Sequence, residues 1–179
     1  MGFCYTFHMT YNIHPLFVHF PIALLLVYSF IKILPFDRWF PKVAWKDIER
    51  ALLFFGVLGA FAALLTGDTA EHLFVPDRKT VDMHSAFATI STYMYGALLL
   101  GELLAYFNPK LLPKITLVWL RNVMTFLASL LTNRVFSRVL ALLALVAITV
   151  TGLLGGVMVY GTTADPLAGV VLKVLGISQ

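Results

Sequence analysis

The sequence predicts an all-α integral membrane protein: a four-helix bundle in one domain, 1–179, with an additional helix in its third connection. Three observations carry this. Of 179 residues, 60% are apolar and only 12% charged, against about 45–50% and about 25% in a soluble domain. The mean hydropathy is +0.88. Four apolar runs approach or exceed the roughly 20 residues that a bilayer crossing takes. So little charge cannot cover a globule in water, which excludes a disordered chain, a coiled coil and most soluble enzymes.

The predicted spans lie at about 15–34, 51–67, 85–107 and 139–160. The stretch 115–132 is ambiguous. Arg121, Asn122, Thr125 and Ser129 fall on one side of a helix there, opposite a wide apolar face. That pattern suits a helix lying in the membrane interface, with a fifth span as the alternative. The first dozen residues carry no Lys or Arg, so the first run reads as a retained span and not as a secretory signal.

Basic residues assign the sides. The first connection carries Lys32, Arg38, Lys42, Lys46 and Arg50, and the third Lys110, Lys114, Arg121, Arg134 and Arg138. The second has only Arg78 and Lys79, the tail Lys173, and residues 1–14 none. By the positive-inside rule the first and third connections are cytoplasmic, and both termini lie outside. The net charge of +4 follows topology, so no nucleic-acid surface is expected.

The histidines are the informative residues. His8 and His14 precede the first span, His19 lies inside it, His72 follows the second, and His84 opens the third. In the four-span topology they gather at the outer end, and no His occurs in the last 95 residues. His19 is expected to face the bundle, because ionisable residues inside spans are functional candidates. His14 and His19 are five apart, roughly 140° of rotation, so they cannot both point at one small ion. Asp68, Glu71, Asp77 and Asp82 share the outer connection. Asp68 and His72 share a face if the helix continues past Gly67. Carboxylate with imidazole suits Zn, Fe or Mn, or a carboxylate orienting a ligating His; the ordinary reading is a solvated loop.

Gly56, Gly59, Ala60, Ala63 and Gly67 form a small-residue stripe on the second span, and Gly152, Gly155 and Gly156 end the fourth. Such spacing permits close helix packing in lipid; alternatively it leaves room for a flat cofactor. Phe17, Phe20, Phe87, Tyr93 and Tyr160 would line that pocket or form an aromatic belt. Glu102, near the cytoplasmic end of the third span, is expected to snorkel and is a weak proton-path candidate. A single cysteine, Cys4, excludes an internal disulfide, a c-type haem and a Cys-ligated cluster. Phosphate-loop and G-x-S-x-G patterns are absent.

The run Ile13-His14-Pro15-Leu16-Phe17-Val18-His19-Phe20-Pro21-Ile22-Ala23-Leu24 resembles the opening motif of a bacterial membrane family known as domain of unknown function 2231. Leu65 to His72, Met83 to Ala86 and Gly155 to Gly161 are similar to later stretches of that family, in order. The long third connection departs from the family pattern. The resemblance implies four core helices in a bacterial inner membrane. Relatives joined to Rieske-type or cytochrome c modules imply electron-transfer company.

Three functions remain open. The first is a b-type haem electron carrier ligated by His19 and His84, with His14 and His72 as alternates or ligands of a second haem. Its partner would be a quinol, a periplasmic cytochrome or a Rieske protein. The second is a non-haem metal protein holding Zn, Cu or Fe through His14, His19, Asp68, Glu71, His72 and His84. The third is a cofactor-free subunit of a respiratory or other membrane complex, or a homo-oligomer. An electron carrier or redox subunit is expected over a stand-alone enzyme.

Overall fold

A computed structural model describes residues 14–71, 77–162 and 166–177. Among them every regular element is helical: α1 (His14–Ile33), α2 (Phe36–Trp39), α3 (Trp45–Glu71), α4 (Arg78–Leu111), a 3₁₀ turn (Leu112–Lys114), α5 (Val118–Leu131), α6 (Arg134–Tyr160) and α7 (Ala168–Val174). Four helices are long and apolar enough to cross a membrane: α1, α3, α4 and α6.

The helices outrun the apolar windows that betray them. α3 has 27 residues and α4 has 34, where hydropathy marks only 51–67 and 85–107. A polar first turn with a side-chain cap lengthens α4, and α6 starts the same way. Asp77 accepts from the Thr80 amide at 3.0 Å and starts α4. Asn133 accepts from the Val135 and Phe136 amides and starts α6. α5 has 14 residues, about 21 Å of helix, and a hydrocarbon core is about 30 Å thick. It is too short for the fifth span that the sequence left open.

α1 packs on α3 and α6, and α4 packs on the same two, so α1 and α4 face each other across a diagonal. The core joins Leu25 and Tyr28 of α1, Leu53, Val57 and Ala60 of α3, Tyr95 and Leu98 of α4, and Ala141, Ala144 and Ile148 of α6. Close approach explains two glycines of the second span. A Cβ at Gly56 would lie 2.6 Å from Leu25, and one at Gly59 3.3 Å from Pro21. With lipid outside, this dispersion contact, not exclusion of water, holds the helices together. Buried hydroxyls fold back on their own helices: Ser29 on Leu25, Thr92 on Ala88 and Thr151 on Ala147. The diagonal is bridged at mid-bundle by Ser29 Oγ and Tyr95 Oη, 2.7 Å apart, beside an edge-on Tyr28–Tyr95 pair.

At one end an ionic cluster ties three helices. Lys32 donates to Glu49 at 3.0 Å and lies 3.6 Å from Glu102, while Arg50 donates to Glu102 at 3.2 Å. The Glu102 carboxylate, expected to snorkel away, is held between two cations instead. α4 then continues past the cluster, and α5 returns antiparallel beside it. Asn108 Nδ2 donates to the Met124 carbonyl, and Leu131 sits on Gly101. At the other end α7 folds back onto the bundle. Leu172 and Ile177 pack on Leu154 with Met83 and Phe87 around them. Gly176, at φ 66°, closes α7 while the Ile177 amide reaches the Leu172 carbonyl.

Candidate functional site

The histidine end is built by four helices. α1 starts with His14, and its ring reaches α3: Nδ1 lies 3.0 Å from Thr66 Oγ1. The Thr66 hydroxyl is 3.2 Å and 3.1 Å from the Ala62 and Ala63 carbonyls and donates into them. A hydroxyl so committed turns a lone pair to His14, and the tautomer compatible with it carries the proton on Nδ1 and the ring lone pair on Nε2. On the diagonal partner α4, His84 donates through Nδ1 to the Thr151 carbonyl of α6 at 2.9 Å. That again leaves the lone pair on Nε2.

Each ring rests on a glycine. A Cβ at Gly67 would stand 3.3 Å from His14 Cε1, and a Cβ at Gly155 3.3 Å from His84 Cε1. The two small-residue stripes thus divide. Gly56 and Gly59 serve helix packing, whereas Gly67 and Gly155 make room for imidazoles. Gly156, next in sequence, has nothing within 4 Å of its Cβ position. Burial pushes the His14 imidazole, just outside the apolar window of α1, below its ordinary pKa; the Ala63 carbonyl opposes this. A half-buried ring kept neutral is the form that ligates a metal.

The structure brings His14 and His84 to one end but treats His19 differently. His19 is exposed, along with Leu16 and Phe20 on the outer surface of α1. The reason is the roughly 140° rotation from His14: once His14 turns inward, His19 turns out. The expectation that His19 faces the bundle is corrected accordingly. α3 does continue past Gly67, through Glu71. The Asp68 and Glu71 side chains, His72 and His8 lie outside the described residues. Among those described, no three His, Cys, Asp or Glu side chains converge to hold an ion. Asp77 belongs to the α4 cap, where the Thr80 hydroxyl and amide hold its carboxyl below the usual range. Phe17, Phe20, Tyr93 and Tyr160 are exposed, as an aromatic belt requires, and only Phe87 packs inward beside His84.

Sequence reasoning missed Thr66, Thr151 and α7. Thr66 and Thr151 each stand immediately before a glycine of an apolar helix, a signal easily read as helix packing alone. α7, seven residues in the tail, carries no pattern that separates it from a short apolar run.

No family model, curated protein or solved structure matches the chain.

Proposed function

We propose that the chain is a membrane-embedded electron-transfer protein that holds a b-type haem between His14 and His84. One observation supports the reading: two imidazoles on diagonally opposed helices stand at the same bundle end, each with Nδ1 in a hydrogen bond and each backed by a glycine. Two axial imidazoles suffice for haem, whereas a bare ion such as Zn needs three or four converging ligands. The donor chemistry fits, because anchoring Nδ1 orients Nε2 and raises its basicity. Haem, when bound, supplies one-electron chemistry. Thr66 and Thr151 fix the ring planes. Met83 and Phe87 of α4 pack with Leu154 of α6 and Leu172 of α7 at this end and keep it apolar, which would tune the potential.

The ligand pair expected from sequence, His19 with His84, gives way in this proposal to His14 with His84. His72 stays an alternate. Basic-residue counting supports an outer-face location for this end, and the resemblance implies a bacterial inner membrane, where a periplasmic cytochrome, a Rieske protein or a quinol would exchange electrons. The resemblance to domain of unknown function 2231 points the same way.

The test is an optical spectrum of the protein purified in detergent from haem-replete cells, air-oxidised and then dithionite-reduced, with a pyridine haemochrome assay. Sharp reduced α and β bands at near-stoichiometric haem are expected. His14→Ala and His84→Ala should each remove them from a still monodisperse protein, and His19→Ala should not. A colourless wild type sinks the proposal, and elemental analysis of that sample then separates a metal site from a scaffold.

A further inference from the structure

The opposite end of the molecule carries a second site. α4 extends nine residues beyond Glu102, about 14 Å, and α5 runs back beside it. From 103 to 138 the chain has five basic residues, Lys110, Lys114, Arg121, Arg134 and Arg138, and no Asp or Glu. Arg134 pairs with Asp37. Lys110, Lys114 and Arg121 are exposed and have no carboxylate partner among the described residues. The same hairpin exposes apolar side chains. On α5, Leu120, Met124, Leu127, Ala128 and Leu131 turn inward, and a separate stripe of Trp119, Val123, Phe126 and Leu130 remains outside.

At the root of the hairpin, between α3 and α4, a groove of about 310 Å³ opens on the surface. Ala51, Phe54, Leu99, Leu103 and Phe107 give it apolar walls, and Arg50, Glu102 and Tyr106 line its charged end. The Tyr106 ring is flanked by two cations, Lys110 Nζ at 5.1 Å and the Arg50 guanidinium at 5.8 Å from its centroid. Arg50 already shares its charge with Glu102 and, at 3.7 Å, with Asp47. Lys110 is therefore the cation with charge to spare.

We propose that this groove and hairpin bind an anionic phospholipid. An acyl chain lies along Phe54, Leu99 and Leu103, and the phosphate meets Lys110 beside Tyr106. Charge complementarity selects the occupant: an apolar wall that ends in unneutralised cations, at the level where the spans end, matches an anionic headgroup on a hydrocarbon tail. Lys114 and Arg121 with the exposed α5 stripe extend the same basic and apolar contact over the surrounding leaflet.

The experiment titrates the full-length protein in neutral detergent with phosphatidylglycerol or with phosphatidylcholine of the same chains. Bound lipid is counted by native mass spectrometry. Phosphatidylglycerol should bind in preference. Lys110→Gln should weaken it about fivefold, the effect of one basic residue near a headgroup. Lys110→Arg should keep the preference, and Leu103→Trp, which fills the groove, should weaken both lipids. Equal binding of the two lipids, or an unchanged Lys110→Gln, overturns the proposal. Displacement of the lipid by millimolar inorganic phosphate also overturns it, because the site would then be for a free ion.

Discussion

Gly155 and Gly156 are adjacent, chemically identical and differently placed, which allows a test of the histidine site that needs no cofactor. A Cβ at position 155 would stand 3.3 Å from His84 Cε1 and 3.6 Å from its Nδ1, while nothing lies within 4 Å of one at 156. Replacing Gly by Ala inside a helix gains about 1 kcal/mol from backbone entropy in water, so Gly156→Ala should be neutral to slightly stabilising. Gly155→Ala has the same gain but pushes the His84 ring by a few tenths of an ångström. The ring is tethered at 2.9 Å to the Thr151 carbonyl, so it cannot retreat without straining that bond. Overpacking costs about 1–3 kcal/mol, so Gly155→Ala should be less stable than Gly156→Ala by about 1–3 kcal/mol. Truncating His84 removes the clash. In a double-mutant cycle with His84→Ala, the two changes should therefore couple by at least about 1 kcal/mol. The assay is reversible unfolding in mixed detergent micelles, followed by circular dichroism. Equal stabilities for the two alanine variants, or additive effects of Gly155→Ala and His84→Ala, would refute the ring-on-glycine geometry.

Three further outcomes are expected. Tyr95→Phe should lose about 1 kcal/mol in the same assay, because its hydroxyl bonds Ser29 inside the bundle. Tyr28→Phe should be neutral or stabilising, because the Tyr28 hydroxyl is buried with no hydrogen-bond partner among the described residues; if it loses as much as Tyr95→Phe, that hydroxyl is satisfied. Asp77 has a folded pKa held below its ordinary value by the Thr80 hydroxyl and amide. Its contribution is full above the ordinary carboxylate range and is lost as pH falls below that range through the depressed folded value. The melting temperature of Asp77→Asn should fall less than that of wild type between pH 6 and pH 3. Parallel profiles would remove Asp77 from the cap.

The number and order of the spans were legible because bilayer crossing is a property of composition over about 20 residues. The location of His14 and His84 at one bundle end was legible too, since it needs only span order and no rotation. Helix rotation was not. In a soluble protein the apolar stripe marks the core, but lipid is as apolar as the packed interior. Around His19 both sides of α1 therefore read alike, and the apolar setting that recommended the residue belongs to its outward face. The two glycine stripes were visible as spacing, but whether a glycine receives Leu25 or an imidazole depends on which neighbour arrives opposite. Likewise α5 has an apolar face wider than α4 can cover, and length alone decided against a span. The sequence by itself determined a helical chain with four segments long and apolar enough to cross a membrane, and it set His14 and His84 at the same end of them. Only the tertiary structure decided that His14, not His19, turns inward onto Thr66 and Gly67, that Glu102 is clasped by Lys32 and Arg50, and that α7 packs onto the histidine end. The physical reason is common to all three: each depends on helix rotation and on contacts between residues far apart in the chain, which local apolar patterning does not encode.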